Sequence, residues 1–199
     1  MTVPFPQESL ATDELDFSLM ARISKGDMAA MEELIQIHQN RVIGTITKML
    51  GHDAEAEDIA QQVFLRIWNS ATQYTTSAKF TTWLFKITRN LVLNEIRRRK
   101  RHPATALERE VEEHHFQTED LRTPAPDASL LESELQDAIQ CAIESLPEPQ
   151  RMAIVLRRYE ELSYEEIGEI LELSIPAVKS ALFRARTELR EKLRHYLKS

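Results

Sequence analysis

The chain has 199 residues, enough for one domain or for two small ones that each bury a core. No apolar stretch reaches the length of a membrane span, and a single cysteine, Cys141, excludes an internal disulfide framework. The net charge of −7 speaks against a nucleic-acid partner until its distribution is considered: residues 81–101 carry seven Lys or Arg against one Glu, residues 174–199 seven against two acids, and residues 102–150 two against twelve. Two basic segments flanking an acidic one suggest two nucleic-acid contacts joined by a solvated connector. Residues 1–14 hold acids and prolines where a signal peptide has basic and apolar segments. With the lone cysteine, this places the protein in a reducing cytoplasm.

Apolar residues recur at helical spacing, and only four glycines occur, so the expected class is all-α. Residues 1–15 read as an N-terminal extension. A short helix is expected over 16–25, with Gly26-Asp27 as its stop and the next N-cap. A long helix over 28–50 places Met31, Leu34, Ile35, Val42, Ile46 and Met49 on one stripe, with Gly51 as terminator. Asp53 caps a third helix whose apolar face is Ala56, Ile59, Ala60, Val63, Phe64 and Ile67. Residues 69–79 read as a polar loop around Tyr74. Thr81 or Thr82 opens a helix reaching Arg101, with Trp83, Leu84, Ile87, Leu91 and Ile96 inward.

Residues 102–130 are rich in Glu, His, Thr and Pro and lack a sustained period, which predicts a flexible acidic linker between two small helical domains, 16–101 and 131–199. In the second, one helix is expected over 131–145. Pro147-Glu148-Pro149 forms a stiff turn into a helix over 148–159, and Ser163 with Glu166 forms a capping box. The following short helix carries Ile167, Ile170 and Leu171 on one face. After a tight turn, Ser174 caps a second helix with Pro176 in its first turn, held by Val178, Ala181, Leu182 and Ala185. Lys179, Ser180, Phe183, Arg184 and Arg186 are left outside. This is the layout of a helix-turn-helix whose second helix enters the major groove. An amphipathic helical hairpin with a solvated basic face is the alternative.

The helix over 81–101 mixes aromatic residues with Lys and Arg and ends in Arg97-Arg98-Arg99-Lys100-Arg101. Basic groups track phosphates, and apolar walls can hold an unstacked base, which favours DNA already opened. Two plainer readings stand beside this one. Trp83 shares a stripe with Ile87 and Leu91 and reads as core, and a basic helix end can simply offset the macrodipole. The helix over 53–68 presents Asp58, Gln61, Gln62, Leu65 and Arg66, with Trp68 at its end. An exposed Leu and an adjacent Trp in a polar face suit a protein interface; a solvated helix face is the alternative.

The run Asp58-Ile-Ala-Gln61-Gln62-Val63-Phe64-Leu65-Arg66-Ile67-Trp68, followed by Phe80-Thr-Thr-Trp83-Leu84-Phe85-Lys86-Ile87-Thr88-Arg89-Asn90 and the Arg-rich end, resembles region 2 of sigma factors. Leu146-Pro147-Glu148-Pro149-Gln150-Arg151, then Tyr159-Glu-Glu-Leu-Ser163-Tyr-Glu-Glu-Ile-Gly168 and the helix after it, resembles region 4. Their order, joined by a linker and without region 3, is similar to the extracytoplasmic-function group of the sigma-70 family. The resemblance implies that Asp58, Gln61, Gln62, Leu65, Arg66 and Trp68 dock on the β′ clamp helices of core RNA polymerase, with the β flap as a second contact. It implies that Tyr74, Lys79, Lys86, Arg89, Asn90, Asn94, Arg97 and Arg98 read and hold the melted −10 element. Ser174, Lys179, Ser180, Phe183, Arg184 and Arg186 correspondingly read the −35 element as duplex. The linker then runs toward the RNA exit path, and an anti-sigma factor is implied as a regulator. The sequence departs from the family pattern at Asn94, where an acid is common, and at Gly168, where alanine is usual.

An enzyme reading has little to build on. His114-His115 lack a third ligand at helical spacing, and His38, His52, His102 and His195 are scattered, so no metal or cofactor is expected. Cys141 has no adjacent basic residue or partner cysteine and reads as packed. No glycine-rich phosphate loop or nucleophile motif occurs. The competing readings are a LuxR-type regulator, which has no need of the aromatic-basic helix, and a protein-interaction module, which predicts no promoter specificity.

Overall fold

Local capping chemistry fixes the ends of the longest helix. Asp27 accepts a hydrogen bond from the Ala30 N–H at 3.1 Å and starts it. Gly51, at φ +82°, ends it by sending its N–H back to the Thr47 carbonyl, a left-handed cap that a side chain would strain. The computed structural model describes residues 6–51, 54–74, 79–101 and 128–196. Its elements are α1 (Pro6–Ile23), α2 (Met28–Leu50), α3 (Ala54–Ser70), a 3₁₀ turn (Ala71–Gln73), α4 (Phe80–Arg101), α5 (Ala128–Glu144), α6 (Glu148–Arg158), α7 (Tyr164–Leu171) and α8 (Ile175–Lys192). The fold is all-α.

Several boundaries differ from the sequence-based expectation. Helix α1 runs Pro6–Ile23, so it starts well ahead of the short helix expected over 16–25; proline suits a first helical position. Helix α3 continues through Ser70 into the 3₁₀ turn, which shortens the loop expected over 69–79. Helix α4 begins at Phe80, whose ring is buried. Cys141 is exposed, not packed, because α5 turns Ala142 and Ile143 inward instead. Asp53, His52, the loop tip 75–78 and residues 102–127, with His102, His114 and His115, lie outside the described residues.

Helices α1, α3 and α4 pack around α2, while α6 and α7 pack on α8 with α5 alongside. The stripe expected on α3 is buried in full, each of its larger side chains stabilising the fold by about 1.5–3 kcal/mol before entropic costs. One apolar cluster runs through both helical groups, because α2 also packs on α5 and α6, and α4 packs on α7. Asp16 and His38 are fully buried in this core and face each other, with 2.8 Å between the carboxylate and Nε2. Among the described residues no helix is long and apolar enough to cross a membrane.

Candidate nucleic-acid and protein interfaces

The first surface is a groove between α2 and α3. Met28, Met31, Ile35 and Ile43 form one wall, and Gln61, Phe64, Leu65 and Trp68 the other. The spacing 61, 65, 68 sets three side chains along the rim, and Leu65 is 60% exposed. Asp58, Gln62 and Arg66 continue the same α3 face toward solvent and are all exposed. The sequence-based set therefore forms one surface, half groove wall and half polar margin. Its α2 wall was missed. The available signal was Met28, a large apolar residue in the first turn of a helix, outside the main stripe and 68% exposed.

The second surface lies on α4. Lys86, Asn90, Asn94 and Arg97 are exposed and follow at intervals of one helical turn, so they make one polar stripe. Arg89 is half-buried beside it. Tyr74 is half-buried as well: its ring lies 5.1 Å from Trp83 and 6.1 Å from both Phe17 and Phe80, and its hydroxyl pKa is pushed up to about 12 by burial and by Asp16 and Asp13. Trp83 packs into this aromatic cluster, as its stripe suggested.

The Arg-rich end of α4 divides its work. Arg98 donates to Glu95 at 2.7 and 2.8 Å and to Glu55 at 3.3 Å. Arg99 pairs with Glu55 and Glu95 and donates to the Leu50 carbonyl at 3.2 Å, one of the groups left unpaired where α2 ends. Arg98 and Arg99 thus staple α4 to the neighbouring helix ends. Arg97, Lys100 and Arg101 face outward. The sequence showed a basic run; it did not show that Glu55 neutralises the middle of it.

The third surface is the helix-turn-helix. The capping box exists as expected: the Ser163 N–H donates to Glu166 Oε2 at 2.7 Å, and the Glu166 N–H donates to Ser163 Oγ at 3.1 Å. Glu172, in the left-handed region at φ +58°, turns the chain, and the Leu173 N–H donates back to the Gly168 carbonyl at 2.9 Å. A Cβ at position 168 would lie 2.9 Å from the Leu173 carbonyl oxygen, so glycine lets the turn fold tightly under α7. Val178, Leu182 and Ala185 are buried against it, with Ala181 half-buried. Lys179, Ser180, Phe183, Arg184 and Arg186 are all exposed, Phe183 at 72%. Ser174 is exposed at the helix start, and its backbone carbonyl, not its hydroxyl, accepts the first helical bond, from the Val178 N–H at 3.0 Å.

Carboxylates of α7 and the turn after it meet cations of the second surface. Glu166 Oε1 is 3.5 Å from Lys79 Nζ, and the Glu172 oxygens are 3.9 Å from Lys86 Nζ and from Arg89 Nη1. Burial opposes the charge on Lys79, but Glu166 and Asp13 outweigh it and hold the pKa above the ordinary lysine value. Burial likewise opposes ionised Glu166, yet the Ser163 hydrogen bonds and Lys79 hold its pKa below the usual carboxylate value.

Residues 34–102 match the family described as Sigma-70 region 2, and residues 136–189 match Sigma-70, region 4. The RNA polymerase sigma-H factor of Pseudomonas aeruginosa is 31% identical over 95% of this chain and 99% of its own length. The ECF RNA polymerase sigma factor SigW of Bacillus subtilis is 36% identical over 87% of this chain and 94% of its own. Among solved structures, the sigma factor RpoE from Bartonella quintana, in complex with the anti-sigma factor NepR, superposes with a TM-score of 0.62 at 26% identity, covering 82% of this chain and 96% of that one. CnrH, in complex with the cytosolic domain of CnrY, shares the fold with a TM-score of 0.67 at 21% identity, over 91% and 98% of the two chains. The chain belongs to the sigma-70 family, in its ECF (extracytoplasmic-function) group of RNA polymerase sigma factors.

Proposed function

We propose that this sigma factor directs core RNA polymerase to promoters by reading a −35 element as duplex with α8 and holding a melted −10 element on α4. The observation that carries this reading is that one chain presents two separate exposed polar stripes, Lys179-Ser180-Phe183-Arg184 on α8 and Lys86-Asn90-Asn94-Arg97 on α4. The first has the form of a major-groove reader, with basic and apolar side chains at the N-terminal half of a helix. The second sits beside an aromatic cluster, which suits unstacked bases. Residues 16–101 and 131–199 act as two units on one tether, so two modest contacts add through effective concentration once both are mounted on the polymerase. The α2–α3 groove docks on the β′ clamp helices, and the second unit meets the β flap. The chain performs no catalysis, needs no metal or cofactor, and works in the cytoplasm.

An anti-sigma factor as regulator is supported by the RpoE relative, whose structure was solved with NepR. Run-off transcription with purified core polymerase and genomic DNA tests the main reading: the chain confers defined start sites that core alone lacks. Arg184→Ala weakens initiation at −35-dependent promoters by about 1–3 kcal/mol, the usual worth of one base-edge contact. Initiation nowhere overturns the function, and an unchanged −35 preference removes Arg184 from the reader set.

A further inference from the structure

Methionine is distributed unevenly over the fold. Met20, Met49 and Met152 are almost wholly buried, at 1%, 0% and 2% exposure, and Met31 is buried at 6%. Met28 is 68% exposed, so among the described methionines it alone is open to a small oxidant. Its place in the fold gives that exposure a consequence. Met28 is the first residue of α2 and stands in the groove wall that continues through Met31, Ile35 and Ile43, across from Phe64, Leu65 and Trp68. The hydrogen bond that starts α2 runs from the Ala30 N–H to Asp27 and does not involve the Met28 side chain. The side chain can therefore change chemically while the helix keeps its cap and its buried stripe.

We propose that Met28 is an oxidation site, and that its conversion to the sulfoxide weakens docking of core polymerase on the α2–α3 groove. The inference rests on the assignment of that groove to the polymerase. The oxidant is a hydroperoxide, with hydrogen peroxide the simplest. A sulfur lone pair attacks one peroxide oxygen, an S–O bond forms as the O–O bond breaks, and water leaves; the thioether is oxidised and the peroxide reduced. A flexible, polarizable thioether moulds itself to an apolar partner. The sulfoxide sets a strong hydrogen-bond acceptor in the same place, and burying it against the polymerase without a donor costs affinity. Docking also covers Met28, so the unassembled factor is oxidised and kept from assembling while the assembled one is shielded.

Full-length Cys141→Ser protein, which lacks the exposed thiol, is labelled at its N-terminal amine and treated with dilute hydrogen peroxide. Peptide mass mapping shows an added oxygen on Met28, while Met20, Met31, Met49 and Met152 stay reduced. By fluorescence anisotropy the dissociation constant for purified core rises about fivefold or more, and methionine sulfoxide reductase with a dithiol restores it. The urea unfolding midpoint does not move. Met28→Leu, whatever its own affinity, shifts by less than about twofold on the same treatment. Preassembled holoenzyme protects Met28 from the peroxide. Four results each overturn the proposal: Met28 staying reduced in the free chain, complete oxidation without loss of core affinity, an equal loss in Met28→Leu, and no protection in holoenzyme. Leu65→Ala separates this failure from that of the docking assignment. Weaker core binding by Leu65→Ala, with none on oxidation, removes only the oxidation site; parental binding in both cases removes the groove as the polymerase face.

Discussion

Replacing Leu65 with alanine isolates the docking groove from the fold. Leu65 is 60% exposed in the free chain, so only that remaining surface is left for a partner to bury. Complete burial of a leucine stabilises by about 1.5–3 kcal/mol, and three-fifths of this, less the Cβ that alanine keeps, leaves about 0.6–1.4 kcal/mol. The dissociation constant for core polymerase therefore rises about three- to tenfold. Because Leu65 lends little to the interior, the unfolding free energy moves by less than about 0.5 kcal/mol. Fluorescence anisotropy with labelled full-length protein and purified core measures the first, and urea unfolding the second. Leu15→Ala on α1, a comparably exposed leucine away from the groove, serves as control and leaves core affinity unchanged. Core affinity within about twofold of the parent for Leu65→Ala, or an equal loss for Leu15→Ala, refutes the assignment of the groove to the polymerase.

Gly168→Ala gains up to about 1 kcal/mol of helix propensity but drives a Cβ to 2.9 Å from the Leu173 carbonyl, and overpacking of this kind costs about 1–3 kcal/mol. The net is a loss of about 1 kcal/mol; a raised melting temperature contradicts the close-approach argument. Asp16→Ala leaves His38 buried without its partner and destabilises by about 1–3 kcal/mol, read by urea unfolding; no change means the pair is not fastening α1 to α2. Glu166→Gln tests the pH dependence. A carboxylate whose folded pKa is depressed stabilises above its unfolded value and loses this as pH falls through the folded one. The melting-temperature gap between parent and variant is therefore full at neutral pH and closes as the pH falls below the ordinary carboxylate value and through the folded one, while a gap that acid leaves unchanged refutes the pairing. Lys79 has the opposite sign, its raised pKa giving a contribution complete below the ordinary lysine value and lost as pH rises through the folded one.

Periodicity carried most of the fold because burial in a helical protein is a one-dimensional pattern. Ala56, Ile59, Ala60, Val63, Phe64 and Ile67 could be assigned to the core without a partner helix in view, and all are buried. Capping was equally local: Asp27, Gly51 and the Ser163–Glu166 box follow from neighbours within a few residues. Failures began where a residue's role depends on a distant one. Asp16 falls on the stripe of Leu19, Met20 and Ile23, and His38 on that of Leu34 and Val42. A polar residue on an apolar stripe demands a partner, yet nothing in the sequence pairs those two, 22 residues apart. Glu55 and Glu160 are the same case at longer range. Each reads as one more acid in an acidic chain, but one neutralises the centre of the basic run and the other ties α2 to the α6–α7 connection across 119 residues. The net charge of −7 therefore misleads in a specific way. Part of the acidity that seemed only to repel DNA is set directly against the cations assigned to bind it, at Glu166 and Glu172. Charge acts by position here, and the sum over the chain is no guide to what its surfaces bind.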